Sequence, residues 1–317
     1  LDVLEKEGYN IECFVYDVGE NDTEKMREAL SSSEMKDMDL IVPLVFKNPF
    51  AIAADFAKAN KIPIVNPMSS DIGILQNNYT FKIQPSAAAE VETVVRYIRS
   101  KHSDDNIIII HDNRASIKPS VDYYEQLLSK STMMWTIMDY NKYANKLTSK
   151  ISTTKNNVVI SLVASDGKSE AETFAKRLLS VLSSKKGAKI TLFGDYSWCE
   201  FNSLDFELLE KFDFHFTLSY LNDYSNANFV NFVKLFRKHF KTEPDKFYAA
   251  LGYDIITYFV HSLIENGVDF METPNISNQN SMINPYYFER PDETRGYQNK
   301  RTVVYKIDDY KIKSVGR

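Results

Sequence analysis

Residues 40–71, LIVPLVFKNPFAIAADFAKANKIPIVNPMSSD, have the pattern of a complete strand–helix–strand unit. Residues 40–46 form a nearly continuous apolar run rich in β-branched side chains. Such a run is typical of a strand that is buried on both faces of a parallel sheet. Asn48 as a cap and Pro49 in a first turn predict a crossover helix over residues 50–60. The stretch therefore predicts an α/β fold with parallel strands.

Polar residues follow both strands of this unit, the second of which is predicted at residues 62–65. In an open α/β sheet, ligands bind at the carboxyl ends of the strands, so these residues are expected to share one binding rim. The alternative that each one only caps a helix or forms a turn stays open. The candidate residues are Lys47, Asn48, Asn66, Ser69 and Ser70.

Length and composition limit the class of protein. A chain of 317 residues is long enough for two domains, and 44% hydrophobic and 26% charged residues are ordinary globular values. The formal net charge is -5 and there is no arginine- or lysine-rich block, so nucleic acid and anionic membrane are poor candidate partners. No apolar run reaches the roughly 18 residues that a membrane span needs.

The usual signatures of metal and enzyme chemistry are missing from the sequence. The five histidines have no metal-ligand spacing, and there is no GxSxG, P-loop or GxGxxG motif. We therefore expect no metal, no cofactor and no enzymatic activity. Cys13 and Cys199 lie far apart in the chain and are expected to be free, buried thiols.

Strand and helix patterns alternate through the first two thirds of the chain. The chain opens on the end of a helix at residues 2–8, followed by a predicted strand at 10–17. We expect one strand and most of its helix to be missing before this point. Further strands are predicted at residues 79–84, 106–111, 132–138, 158–163, 189–193 and 213–219, with helices between them.

A second group of polar residues follows two of these strands. Ser165 and Asp166 come after the strand at 158–163, and Asp195 and Tyr196 come after the strand at 189–193. By the same reasoning they are candidate ligand-binding residues. From residue 226 the pattern changes to helices at 226–240 and 247–265, and then to short antiparallel strands at 286–288, 301–307 and 310–315 that form a terminal hairpin.

The order of several motifs resembles the type I periplasmic solute-binding proteins, in the branch that includes the branched-chain amino-acid receptors. The resemblance covers nearly the whole chain. Its most specific part is a helix, a proline and then an aromatic helix that carries Gly252-Tyr253-Asp254. The other motifs are Tyr16-Asp17, IPIVNPMSS at 62–70, FKIQPS at 81–86 and IIIIHDN at 107–113.

The resemblance implies two doubly wound parallel-sheet lobes joined by a three-crossing hinge that closes on a small solute. Lobe 1 would comprise residues 1–85 and 221–285, and lobe 2 residues 86–220 and 286–317. The implied function is extracytoplasmic binding of a polar or amino-acid-like solute for an ABC transporter, with a membrane permease as partner. The implied location is the periplasm or the cell envelope.

Some positions differ from what the family uses to hold an amino acid. Ser69 and Ser70 match the family's carboxylate grip, but Lys47-Asn48-Pro49 stands where a serine run is usual. Ala87, Ser116, Ser165 and Tyr196 stand where the resemblance implies acidic or aromatic partners for the ligand's ammonium group, although Asp195 could substitute for one of them. Because an unpaired buried ammonium would cost several kcal/mol, a simple α-amino acid is disfavoured as ligand.

A second hypothesis for the function stands beside the transport receptor. The chain could be a repurposed receptor-like module of a larger cell-envelope protein, associated with peptidoglycan through binding repeats of the LysM type. The departures at the ligand positions support this alternative, while solute binding for a transporter stays the main expectation.

Overall fold

The computed structural model describes most of the chain, in which two compact units can be distinguished. The first unit comprises Leu1–Ser86 and Tyr220–Arg301, and the second comprises Ala87–Ser219 and Thr302–Arg317. The described residues are 2–6, 8–43, 46–69, 71–163, 167–245, 248–275 and 286–316. Within these ranges, no helix combines the length and the apolar character that crossing a membrane requires.

Helices flank the sheets of both units. In chain order they are α1 (Asp2–Lys6), α2 (Thr23–Leu30), α3 (Lys47–Asn60), α4 (Ala87–Lys101), α5 (Lys118–Leu128), α6 (Tyr140–Tyr143), α7 (Leu147–Lys150), α8 (Lys168–Ser183), α9 (Phe206–Lys211), α10 (Ala227–Phe240) and α11 (Tyr248–Asn266). Short 3₁₀ helices lie at Ser33–Asp37, Ile72–Gln76, Ala144–Lys146, Tyr196–Glu200 and Gly267–Met271.

The strands form one sheet in each unit. They are β1 (Ile64–Asn66), β2 (Thr80–Lys82), β3 (Asn106–His111), β4 (Met134–Asp139), β5 (Asn157–Leu162), β6 (Ile190–Phe193), β7 (Phe214–Leu218), β8 (Phe288–Glu289), β9 (Tyr297–Asn299), β10 (Val303–Asp308) and β11 (Lys311–Gly316). The first sheet has the order β1-β2-β9-β8 and the second β11-β10-β7-β6-β5-β3-β4. Most neighbouring strands are parallel, so the predicted α/β class with two doubly wound lobes is confirmed.

The second unit is organised around β3, whose sequence is NIIIIH. All four isoleucines are fully buried, because β3 lies between β4 and β5 and both faces of the sheet are covered. On one face, Val94 and Ile98 of α4 pack into the same cluster as Ile107 and Ile109. Polar side chains on this strand are therefore confined to its ends.

The first unit is organised around Phe81 of β2, which is fully buried. Its ring stacks on Tyr297 with 4.7 Å between the ring centroids, and it meets Phe288 edge-on at 5.3 Å. Phe259 and Phe270 lie at 5.1 and 5.4 Å from the same ring. Aromatic pairs at these distances add to the stability gained from burial. Phe81 thus packs β8 and β9, which belong to the same sheet, together with α11.

This aromatic cluster explains why the unit boundary differs from the predicted lobes. Residues 286–301 were expected in lobe 2, but Tyr286, Phe288 and Tyr297 are buried in the core of the first unit. The chain accordingly passes between the units after residues 86, 219 and 301, whereas the last crossing was predicted after residue 285.

Several local predictions near the start of the chain are wrong. Residues 10–17 form no strand, although their β-branched and aromatic residues favour one, because a strand also requires a neighbour to pair with. Of the strand predicted at 40–46, Ile41 alone forms a bridge, to Ile64, while residues 44 and 45 lie outside the described residues. Helix α3 begins at Lys47, so Asn48 is inside the helix and does not cap it.

The two cysteines are free, as predicted. The predicted burial is wrong for Cys13, which is exposed. It lies within the irregular stretch that replaces the expected strand, so no sheet covers it. Cys199 is partly buried. Burial, reinforced by the nearby Asp195 and Glu200 carboxylates, raises the pKa of the Cys199 thiol to about 12, so this thiol stays protonated at neutral pH.

Gly296, the residue before β9, provides a direct test of how this part of the chain packs against Asn77 and Thr80 at the start of β2. A Cβ atom at this position would lie 2.6 Å from the backbone oxygens of both Asn77 and Thr80. We expect Gly296→Ala to lower the free energy of unfolding by about 1–3 kcal/mol, because backbone atoms must move to accommodate the methyl group. Chemical denaturation followed by circular dichroism measures this change.

Gly252 is the matched control for that substitution. It lies inside α11, and a Cβ atom there would have no neighbour within 4 Å. Gly252→Ala should leave stability unchanged or raise it by up to about 1 kcal/mol through the better helix propensity of alanine. Equal losses of stability in the two variants would contradict the packing described at Gly296.

A buried histidine lies on β7 of the second unit. The Nδ1 atom of His215 donates to the carbonyl oxygen of Asp213 at 2.6 Å, so in the neutral ring Nε2 accepts from the hydroxyl of Tyr97 at 3.1 Å. Burial lowers the pKa of His215, and the nearby Lys306 lowers it further, against an opposing effect of the Asp213 carboxylate. Folding therefore favours the neutral imidazole.

This lowered pKa makes stability depend on pH. The unfolded chain takes up a proton at His215 near the ordinary pKa of 6.5, before the folded chain does, so stability should fall as the pH drops below this value. We expect His215→Gln to be less stable at neutral pH but to show a weaker loss between pH 7 and pH 5. Urea unfolding across this range tests the prediction, and identical slopes for both proteins would contradict it.

Candidate functional site

The first-unit rim is built by the start of α3 and the loop that follows β1. Lys47 is the first residue of α3, and its Nζ atom lies 3.6 Å from the Oδ2 atom of Asp71. Both side chains are well exposed, at 85% and 48%, so this ion pair is weak and leaves the ammonium accessible. The two loops predicted to share a rim therefore do meet in the structure.

The beginning of α3 carries no acidic residue and no side-chain cap. Its N-cap is Phe46, whose side chain makes no capping hydrogen bond, and the first turn lacks Asp and Glu. Lys47 and Asn48 are both exposed there. Because the N-terminus of a helix carries a partial positive charge, this end of α3 favours an anion.

Asn66 shapes the loop after β1 and is not itself open to solvent. It is 1% exposed, and its Oδ1 atom accepts from the backbone N–H groups of Met68 at 3.2 Å and Ser69 at 2.7 Å. The hydroxyl of Ser69 in turn accepts from the backbone N–H of Asp71 at 3.1 Å. Asn66 thus acts on the rim by holding its loop, and Ser70 lies outside the described residues.

The second-unit rim follows β6. Asp195 is exposed, and its Oδ1 atom accepts from the backbone N–H of Ser197 at 2.8 Å, which caps the short helix after it. Tyr196 is half-buried against Phe216, with 5.3 Å between the rings. Burial raises the pKa of Tyr196, so its hydroxyl remains a hydrogen-bond donor well above neutral pH. Ser165 and Asp166 lie outside the described residues.

Sequence reasoning missed an ionic cluster on this second unit. Arg114, in the loop after β3, contacts Asp112 at 3.3 Å and Glu170 in the first turn of α8 at 2.8 Å. The Arg114 side chain is 32% exposed. The sequence His111-Asp112-Asn113-Arg114 placed charged residues at the end of a strand, which was the available signal. The contact between Arg114 and Glu170 joins two βα connections of this unit.

At two positions the resemblance implies an acidic or aromatic partner for the ammonium group of an amino-acid ligand, but the residues present are neither acidic nor aromatic. Ala87 is the exposed first residue of α4, and Ser116 is exposed in the turn before α5. Neither side chain carries a charge. Among the described residues, no group of three or more His, Cys, Asp or Glu is arranged to hold a metal ion.

Asn66 gives a test of how the rim is held. Asn66→Ala removes the acceptor of two backbone N–H groups, and we expect a loss of about 1–3 kcal/mol in the free energy of unfolding. Hydrogen exchange of the Met68 and Ser69 amides should also become faster. The exposed Asn48→Ala variant is the control and should change neither quantity. Unchanged exchange in Asn66→Ala would show that another group holds the loop.

The chain is similar to known proteins in sequence pattern and in fold. The profile of the family described as periplasmic binding protein matches residues 3–270. No curated protein sequence matches the chain. A structure of an ABC transporter substrate-binding protein from Desulfitobacterium hafniense in complex with Leu has a TM-score of 0.57 at 12% identity, covering 93% of this chain and 86% of that one.

Two further solved structures are similar over the same length. A branched chain amino acid ABC transporter periplasmic ligand-binding protein from Burkholderia xenovorans has a TM-score of 0.61 at 12% identity, covering 92% of this chain and 80% of that one. A solute binding protein from R. palustris in complex with benzoate has a TM-score of 0.50 at 14% identity, covering 93% and 80%. At these identities the structures establish a shared fold.

Proposed function

Because this chain belongs to the periplasmic binding protein family, we propose that it is an extracytoplasmic receptor for a small solute, of the type that serves an ABC transporter. The observation that carries the proposal is the family match over residues 3–270, together with the polar rims at the carboxyl ends of the strands. The family is one of solute receptors and not of enzymes, and it implies a location outside the cytoplasm. A membrane permease would be the partner that accepts the solute.

We further propose that the solute is a small carboxylate without an α-ammonium group. The exposed Lys47 ammonium and the uncapped, acid-free start of α3 form a positive surface on the first-unit rim, which suits a carboxylate. The structural neighbours from D. hafniense and R. palustris hold leucine and benzoate, which both carry a carboxylate. Ala87 and Ser116 provide no charge for an ammonium group.

The ligand-binding roles of individual residues rest on this proposal. On the first unit, Lys47 and Asn48 would contact the carboxylate with Ser69 and Ser70, while Asn66 would hold their loop. On the second unit, the proposed contacts are Ser165, Asp166, Asp195 and Tyr196, of which the two aspartates would accept hydrogen bonds from hydroxyl groups of the solute and would not approach its carboxylate. Closure of a hinge on the solute, as the resemblance implies, stays a prediction.

The alternative of a repurposed cell-envelope module is less well supported. The matched family is described as periplasmic binding protein, and the three structures reported above are named as solute-binding or substrate-binding proteins of ABC transporters, which fits the receptor function. The departures at the ligand positions are instead explained by a solute that lacks the ammonium group. The solute receptor is therefore the preferred function.

Binding measurements with benzoate and leucine test this proposal. We expect benzoate or a similar small organic acid to raise the melting temperature, and leucine to raise it less, because leucine would bury an unpaired ammonium group. Lys47→Gln should weaken binding of the organic acid about tenfold by removing a charged hydrogen-bond donor. Calorimetric titration measures the affinities.

Lys58→Gln is the matched control, because Lys58 is exposed near the other end of the same helix. It changes the net charge equally and should leave affinity unchanged. Tighter binding of leucine than of benzoate would overturn the solute class while leaving the receptor function intact. If organic acids, amino acids and sugars all fail to shift the melting temperature, the receptor function itself is wrong.

A further inference from the structure

The end of α11 in the first unit carries a chemical feature that the proposed receptor function does not use. Asn266 is the last residue of this helix, Gly267 follows it, and no other asparagine in the chain precedes a glycine. Both residues are exposed. In such a pair the backbone nitrogen of the second residue is open to the side-chain amide of the first, because glycine has no side chain to shield it.

The backbone leaves the helical conformation at this pair. Asn266 has a φ of -130° and a ψ of 3°, and Gly267 has a φ of +57°, in the left-handed region that favours glycine. Gly267 thereby ends α11 and begins the 3₁₀ helix Gly267–Met271. A Cβ atom at Gly267 would have no neighbour within 4 Å. The surroundings of the Gly267 backbone are therefore open.

The side-chain amide of Asn266 is not held in place by the helix end. Its side chain makes no capping hydrogen bond to the 3₁₀ helix that follows. Among the residues that the structure describes, it has no other hydrogen-bond partner either. The amide is therefore free to turn its carbon atom towards the backbone nitrogen of Gly267.

A second helix end of the first unit provides an internal comparison. Asn60 is the last residue of α3, and Lys61 after it has a φ of 59°, so a left-handed residue follows the asparagine in both cases. The Asn60 amide nitrogen, however, donates to the carbonyl oxygen of Phe56 at 2.8 Å. The next residue also carries a lysine side chain. The ends of α3 and α11 thus differ in the two features that leave an asparagine open to attack.

Termination of the helix explains the glycine of this pair but not the asparagine. Glycine is the usual residue in the left-handed position after a helix. Asparagine favours helix ends when its side chain bonds to a nearby backbone group, as Asn60 does. Asn266 makes no capping bond of this kind. Its amide therefore contributes nothing to the helix end that would protect it.

We infer that Asn266 is a site of spontaneous deamidation, and that this modification loosens the core of the first unit. The backbone nitrogen of Gly267 loses its proton and attacks the Cγ atom of Asn266. A C–N bond forms, the bond from Cγ to Nδ2 breaks, and Nδ2 leaves as ammonia with the proton. One water molecule then opens the cyclic imide at either of its two carbonyl groups. The product is aspartate or isoaspartate at position 266, and no oxidant takes part.

The new carboxylate would lie where it destabilises α11. A negative charge at the C-terminus of a helix is unfavourable, because that end already carries a partial negative charge. The last turn of α11 contains no basic residue, and the exposed Glu265 and Asp269 lie on either side of the pair along the chain. Deamidation therefore adds a third carboxylate to an acidic helix end.

The change in the backbone reaches the aromatic core. Isoaspartate lengthens the main chain by one carbon atom between α11 and the 3₁₀ helix that follows it. This 3₁₀ helix carries Phe270, which is fully buried, with its ring 5.4 Å from that of Phe81 and 6.0 Å from that of Phe259. Because a close-packed core leaves little room for a shift, the longer link displaces Phe270 or strains the turn. Either change lowers the stability of the first unit.

Incubation of the full chain at mildly alkaline pH, followed by digestion and peptide mass spectrometry, tests the inference without any solute. We expect the peptide that contains Asn266 to gain the mass difference between an OH and an NH₂ group and to separate into aspartate and isoaspartate forms. Conversion should be slower at mildly acidic pH, because the backbone nitrogen must lose its proton. The peptide that contains Asn60 is the internal control and should stay unmodified over the same time.

Asn266→Gln is the matched control variant, because glutamine keeps the amide but would have to close a larger ring, which forms more slowly. After incubation, the wild-type chain should unfold at a lower urea concentration than before, whereas Asn266→Gln should keep its midpoint. Equal modification of Asn60 and Asn266, or modification of neither, would overturn the assignment of the site. A deamidated chain with an unchanged urea midpoint would overturn the effect on the core.

Discussion

Burial of the parallel strands on both faces is the constraint on which both units depend. Four isoleucines fill β3, and β1 is buried at all three of its residues, so side chains that could contact a solute are excluded from the middle of each sheet. On these two strands the polar residues are confined to the ends. As a result, Lys47 and Ser69 lie on the first-unit rim and Asp195 lies on the second-unit rim. Substitutions in these loops can therefore alter which ligand is bound without altering the fold.

The elements that could be predicted from the sequence are those with local causes. The isoleucine run of β3 and the turn between β10 and β11 are recognisable from a few consecutive residues. The wrong predictions arise where pairing or packing with residues far away in the chain determines the local structure. Residues 10–17 have strand-forming side chains but no pairing, and residues 286–301 join the first unit because Phe288 and Tyr297 pack on Phe81, more than 200 residues earlier.

The candidate site shows the same division between local and distant causes. Strand ends indicated where the rims lie, and the contact of Lys47 with Asp71 brings together two loops that were expected to adjoin. The sequence could not reveal that the side-chain oxygen of Asn66 accepts hydrogen bonds from the backbone N–H groups of Met68 and Ser69. Nor could it pair Arg114 with Glu170, since this contact spans 56 residues. A residue type at a strand end therefore indicates a site, but only the folded contacts show which side chains are available to a ligand.

The central claim is that the chain is a receptor for a small carboxylate, and its most direct test is a native mass spectrum of the protein. The account predicts that the chain, purified without denaturation or incubated with a mixture of small organic acids, carries one such acid per chain and releases it on unfolding. A folded chain that retains none of the acids offered would contradict the account.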